Sequence, residues 1–323
     1  ASGADIVMAT DPDADRMAVA VRDENNEMVL LSGNMIGSIL AAFRIEKMKA
    51  MGMLPAEGTS SAALIKTFVT TPLQAAIAEK NGLKVIDTLT GFKWIGEKLK
   101  NYEDILMEKL SEAGIETEEY DRIPLETRRE LLLEYSTFYV FGGEESYGYL
   151  ASDTVRDKDA NASVLMFAEM AATLESEGKS ILGYLDEVYL KYGYYLEETV
   201  SIYYEGATGA SRIRAILDSY RSTPPEEVGG FKVTGWKDFG IQKIHDADGK
   251  EIPKQDFYFV ELENGYSFAC RGSGTEPKIK FYVFANEDVT QAGELASAKK
   301  RAKKTISVIK NAIEADARER AGQ

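Results

Sequence analysis

The sequence predicts an α/β domain built on a parallel-containing mixed sheet with helices, followed by a small α+β domain. Three observations carry that expectation. A strand, helix and strand fill about 30 residues from Ala62 to Thr90, the spacing of a parallel crossover. Helical and strand patterns then alternate as far as residue 193. Beyond it, short strands follow one another closely and one long helix closes the chain.

The elements follow in order. "ADIVMAT" and "MAVAV" read as two strands around the acidic tip "DPDADR", and "MVLLSG" as a third strand after an "ENNE" turn. Ile36, Ile39, Leu40 and Phe43 recur at helical spacing, and that helix ends near Gly52 and Pro55. "AALIKTFVT" reads as a strand. "TPLQAAIAEKNG" reads as a helix opened by Pro72 and closed by Asn81-Gly82, and "LKVIDTLT" as the next strand. "GFKWIGEKL" opens a helix, with polar helical material expected to about residue 135. "STFYVFGGEESYGYL" is a strand running into a glycine turn, and two helical patterns follow to residue 193. From there "LEETVSIYYEG" is a strand and "ASRIRAILDSYRS" a helix; four strands precede a last helix from about residue 291. That helix is expected to bury Ala302, Ile306, Ile309 and Ile313, with Lys299, Lys300, Arg301, Lys303 and Lys304 as a solvated face and a binding patch as the alternative. The expected division is a first part over 1–30, an α/β domain over 31–193 and an α+β domain over 194–323.

Composition narrows the function. The 323 residues carry a net charge of −15, which argues against a nucleic-acid partner because phosphate backbones require a basic footprint. A single cysteine, Cys270, permits no internal disulfide and fits a reducing cytosol. No apolar run approaches the roughly 20 residues needed to span a bilayer, so no membrane association and a cytoplasmic location are expected. An anionic small substrate remains compatible if local arginines overcome the global field.

The acidic tip is the sharpest signal. Asp11, Asp13 and Asp15 stand at every second position and repel one another unless a cation lies among them. Oxygen-only ligands suit Mg²⁺ or Ca²⁺ rather than zinc. An EF-hand begins the same way but needs Gly at loop position 6 and Glu at position 12, where this chain has Arg16 and Arg22. The plain alternative is a solvated acidic turn, made less attractive by the apolar strands on both sides. Arg16 would match phosphate oxygens beside such a metal, and metal with arginine suggests phosphoryl chemistry.

Three further loops bear on the same chemistry. "CRGSGTEPK" joins two strands with the inventory of an anion nest: Gly272, Gly274, Ser273, Thr275, Arg271 and Lys278. It lacks the Gly-Lys-Ser/Thr ending of a P-loop, and an irregular hairpin is its plain alternative. "GGEESYGY" places Glu144, Glu145 and Ser146 on a turn after a strand, where carboxylates and a hydroxyl suit sugar hydroxyls. "TGFKWIG" presents Lys93 at a helix start. Each of the last two lies at a strand end, where α/β sheets place ligand sites.

Taken together and in this order, the four motifs resemble those of the α-D-phosphohexomutase superfamily, the phosphoglucomutases and phosphomannomutases. "DPDADR" is similar to its metal loop, "TGFKW" to its sugar-orientation loop, "GEES" to its sugar-binding loop and "RGSGTEP" to its phosphate-binding loop. The resemblance covers essentially the whole chain. It implies three similar α/β domains and a small TATA-binding-protein-like domain around one cleft. It also implies exchange between hexose 1-phosphate and hexose 6-phosphate through a phosphoserine and a hexose bisphosphate. Carried onto this sequence, it implies Mg²⁺ on Asp11, Asp13 and Asp15, with Arg16 beside the phosphoserine. Lys93, Glu144 and Ser146 fall to the sugar, and Arg271, Ser273, Gly274 and Thr275 to the phosphate that does not react. Lys158, in "VRDKDA", matches a lysine near the reacting oxygen; a surface lysine at a helix start is its alternative.

One departure stands out. The family's serine lies in a Ser-His-Asn-like loop ahead of the metal loop, whereas the only histidine here is His245, in "KIHDAD". The expectation is therefore a C-terminal part lacking domain 1 and most of domain 2, inactive alone and partnered by those missing domains. Alternatives are a phosphopentomutase or sugar-bisphosphate-related member of the superfamily, or a non-catalytic phosphosugar-binding module.

Overall fold

The computed structural model describes residues 3–204, 208–273 and 277–322. The chain divides into two compact units, Ala1–Val188 and Tyr189–Gln323.

Unit 1 opens with a three-stranded antiparallel sheet, β1 (Ile6–Thr10), β2 (Met17–Arg22) and β3 (Met28–Leu30), in that spatial order. Strand alternation buries Met17, Val19 and Val21 on one face of β2. α1 (Gly33–Ala50) follows, capped by Ser32, whose Oγ accepts the Met35 amide at 3.2 Å. The second sheet has the order β5-β4-β6-β7, from β4 (Thr59–Thr67), β5 (Leu83–Thr88), β6 (Phe138–Gly143) and β7 (Tyr149–Leu150). β4 runs parallel to both β5 and β6, and only β7 is antiparallel. α2 (Pro72–Lys80) makes the crossover from β4 to β5, as the spacing predicts. β4 is shifted from its expected range, beginning at Thr59, while Phe68 to Thr70 form a turn closed by the Thr70 amide on the Thr67 carbonyl.

α3 (Phe92–Glu112) sets Ile95, Leu99, Tyr102, Leu106 and Leu110 on one stripe against Ile65, Ile86 and Tyr139. The helical material expected to residue 135 is interrupted. Gly114, at a φ of 69°, ends the first helix. A single 3₁₀ turn (Tyr120–Arg122) precedes α4 (Leu125–Tyr135). The exposed "ETEE" run at 116–119 has no apolar stripe to dock, so tertiary packing gives it no reason to stay helical. α5 (Ala160–Ser176) and α6 (Ile181–Tyr192) complete the helices, and the division between units falls within α6.

Unit 2 is one antiparallel sheet in the order β8-β13-β12-β11-β10-β9, with α7 (Gly209–Ser222) and α8 (Ala292–Arg320). Its strands are β8 (Tyr194–Tyr203), β9 (Glu227–Val228), β10 (Phe231–Asp238), β11 (Phe257–Leu262), β12 (Ser267–Gly272) and β13 (Lys278–Glu287). α8 buries Ala302, Ile306, Ile309 and Ile313, as its period predicts, and packs on β8 and β13. No helix is long and apolar enough to cross a membrane among the described residues.

Candidate active site: an acidic loop and the loops that hold it

The turn between β1 and β2 gathers its three acids. Ligand oxygens of Asp11, Asp13 and Asp15 all lie within 4.8 Å of one another. Asp11 Oδ1 accepts the backbone amides of Asp15 and Arg16, both at 3.1 Å, which curls the chain back on itself. Ala14 takes a φ of 54°, a left-handed conformation that costs a non-glycine residue free energy. Desolvation raises the Asp11 carboxyl, but hydrogen bonds from Arg16 and Asp15 outweigh it and leave it below its ordinary value. Asp15 Oδ1 is buried and receives no hydrogen bond; the Arg16 guanidinium is its nearest compensation, at 3.5 Å. A buried carboxylate oxygen without a donor is costly, and a hard cation among three carboxylates would relieve it. The donor set therefore fits a divalent ion bound through oxygen.

Neighbouring loops fix this tip. The Met17 amide donates to Tyr147 O at 3.0 Å, and the Ala160 amide to Ala14 O at 3.0 Å. Lys158 extends along Gly148, where a Cβ would stand 2.3 Å from its Cδ, and puts Nζ 3.0 Å from Asp15 Oδ2. Burial lowers the Lys158 pKa, yet hydrogen bonds to Asp15 and Asp157 outweigh it and hold it above the ordinary lysine value. Asp11, Asp13, Asp15, Arg16 and Lys158 are thus brought into one group.

The Gly-Glu-Glu-Ser turn is the second part. The Glu144 carboxylate is buried and accepts the Gly91 amide at 2.8 Å, tying this turn to the loop that opens α3. Ser146 is partly buried at the tip, and Tyr147 takes a φ of 70°. Gly33 lets this tip approach α1: a Cβ there would sit 2.1 Å from Glu145 O. Lys93 lies exposed over the Trp94 ring at 4.7 Å from its centroid.

Sequence reasoning overlooked what supports the turn. Lys66, at the end of β4, stands between Asp87 on β5 and Gly143 on β6 in register. Its Nζ is buried 2.7 Å from Asp87 Oδ1. Thr70 Oγ1 bonds Thr67 Oγ1 at 2.8 Å and donates to Gly143 O at 3.4 Å. The signal was present as "LIKT" and "VIDT", two strands that end alike with opposite charges at matching positions.

Unit 2 modifies the expected anion nest. Arg271 and Gly272 close β12, paired with Lys280 and Ile279, and the loop follows them. The Ser273–Lys278 bond makes Gly272 and Ile279 a non-hydrogen-bonded pair of the ladder, so the Gly272 amide points away from β13. The Ser273 amide closes the loop on Lys278 O at 2.8 Å. Gly274 and Thr275 lie outside the described residues.

Comparison with known proteins bears on family and fold. Residues 32–116 and 129–192 match the family of phosphoglucomutase/phosphomannomutase alpha/beta/alpha domain III. The chain is 30% identical over 287 residues to a phosphoglucomutase of Staphylococcus aureus (strain USA300), covering 87% of this chain and 45% of that protein. It belongs to the phosphohexomutase superfamily. A second phosphoglucomutase, from strain MSSA476, is 29% identical over the same span. Among solved structures, the open form of pp63/parafusin, a phosphoglucomutase from Paramecium, superposes with a TM-score of 0.53 at 17% identity. That match covers 94% of this chain and 45% of that one, and carries the phosphohexomutase fold. The chain spans about half the length of the curated relatives it matches.

Proposed function

We propose that this member of the superfamily supplies the metal, sugar and phosphate contacts of a phosphohexomutase interconverting hexose 1-phosphate and hexose 6-phosphate. The convergence of Asp11, Asp13 and Asp15 around a carboxylate oxygen with no donor carries the reading. In it, residues 1–30 bring the metal loop, 31–193 the sugar contacts and 194–323 the phosphate contacts. Asp11, Asp13 and Asp15 hold Mg²⁺, which supplies Lewis-acid stabilisation of charge on a transferring phosphoryl group. Arg16, exposed beside them, offers a guanidinium fork to that group.

Lys158 keeps an ammonium beside Asp15, suited to hold charge or move a proton at the reacting oxygen. Glu144, anchored by Gly91, and Ser146 at the tip face the sugar hydroxyls, with Lys93 assisting. Arg271, Ser273, Gly274 and Thr275 hold the phosphate that is not reacting. The only histidine, His245, forms an isolated β-bridge with Glu251 in unit 2, and Ile244 rather than a serine stands directly before it. The phosphoserine of this reading therefore comes from outside these 323 residues, and the chain alone is inactive and works in the cytoplasm as part of a longer enzyme. The test is turnover of glucose 1-phosphate by the whole protein and by this chain. The whole protein is expected to be active and to lose activity in Asp13→Asn and Glu144→Gln. Activity unaffected by both substitutions would refute the site.

A further inference from the structure

A cavity of about 470 Å³ opens in unit 1 at the opposite end of β6 from Glu144. The intervening strand puts roughly 16 Å between them. Arg44, Met48 and Met51 line it from positions i, i+4 and i+7 of α1 and the residue after it, with Phe138 beside them and Arg129 of α4. Its size lies within the range of small-molecule sites.

Three arginines reach this cavity, and they differ in how well they are neutralised. Arg128 is fully engaged: it bonds Asp153 at 3.0 Å and Tyr120 O at 3.3 Å and stacks over the Tyr120 ring. The other Asp153 oxygen takes the Tyr120 hydroxyl. Arg129 has only Glu130 at 3.4 Å and Glu126 at 3.8 Å, carboxylates 68% and 81% exposed and therefore screened by solvent. Arg44 donates Nε to Val140 O and has no ion pair among the described residues. Burial lowers its pKa, and Tyr139 and the Glu169 carboxylate offset that only in part. In a chain of net charge −15, two poorly compensated guanidinium groups on one methionine-lined cavity need an explanation.

We propose that this cavity binds a small organic oxyanion, a phosphate or carboxylate on a compact apolar body, away from the acidic loop. Arg44 and Arg129 take the oxyanion through their planar forks. Met48, Met51 and Phe138 take the apolar part, the methionines adapting to its shape.

The chain carries 10 methionines, which allows a direct test. Met48, Met51 and Met53 line the cavity, whereas Met8 and Met17 lie on the strands flanking the acidic loop. The chain labelled with ¹³C at the methionine methyls is titrated with phenyl phosphate, with benzoate and with benzyl alcohol. Saturable shifts at Met48, Met51 and Met53 are expected from at least one anion, with Met8 and Met17 unmoved. The stronger of the two anions identifies the oxyanion, and equal responses mean that the site accepts either. Arg129→Gln, which removes only solvent-screened pairs, is expected to weaken binding about tenfold, and Arg44→Lys offers a second variant that keeps the charge. The proposal falls if the cavity methyls stay still up to ~10 mM anion, if only Met8 and Met17 move, or if benzyl alcohol acts as strongly as the anions.

Discussion

Two turns of the first sheet start from the same device and end differently. In the turn between β1 and β2, Asp11 Oδ1 accepts amides four and five residues on. In the turn between β2 and β3, Asp23 Oδ1 accepts the amides of Asn25 at 2.9 Å and Glu27 at 2.8 Å. Asp23 Oδ2 then takes the Asn25 side chain, so its carboxylate is spent locally. The first turn instead brings three carboxylates together and leaves a buried Asp15 oxygen without a donor. The difference lies in what holds each tip. Asn26 takes its positive φ in a short turn held from within its own hairpin, by Arg22 on its carbonyl at 2.9 Å, and asparagine tolerates that conformation. Ala14 takes one with its carbonyl pinned to Ala160, while Met17 is pinned to Tyr147. Aspartate-capped turns are common; an acidic site needs the rest of the domain to force the acids together.

The largest expected effect breaks this contrast directly. Asp13→Asn or Asp15→Asn should weaken Mg²⁺ binding by at least ~100-fold, since loss of outer-shell partners alone costs roughly 10–100-fold. Asp23→Asn should leave it unchanged, and calorimetric titration with Mg²⁺ decides both. Next in size is Lys66→Met, which leaves the Asp87 carboxylate on β5 without its buried partner. With Lys66 buried and Asp87 35% exposed, the loss should be about 2 kcal/mol in urea unfolding. A smaller effect has the opposite sign. Lys158→Met removes a cation competing for Asp15, so Mg²⁺ should bind about fivefold tighter, by Coulomb's law at high effective dielectric. Smallest is the acid limb of stability. The Glu27 amide, partly offset by desolvation, holds the Asp23 carboxyl below its ordinary value. Below pH 4 the unfolded chain therefore takes up this proton before the native one does. The stabilisation, fully present above pH 4, is lost as pH falls through the native pKa. Thermal melts of Asp23→Asn should show a shallower acid limb than those of the parent chain.

Much of this was legible in the sequence because it is local. The spacing of Asp11, Asp13 and Asp15, the glycine-bounded Glu144 turn and the helical stripe of α8 are each set within a few residues. What escaped was set by register. Nothing near Lys66 in the sequence says that β4 lies between β5 and β6, yet that order alone makes Asp87 and Gly143 its neighbours. The break after Gly114 escaped because charge-rich helix and charge-rich loop have the same composition when no apolar stripe tells them apart.

The proposed sugar-phosphate chemistry is tested most directly by calorimetric titration of the chain with glucose 1-phosphate, with and without Mg²⁺ and with Arg271→Ala alongside. The account predicts binding that Mg²⁺ strengthens and Arg271→Ala abolishes. Absence of binding, or binding indifferent to both the metal and Arg271, would contradict it.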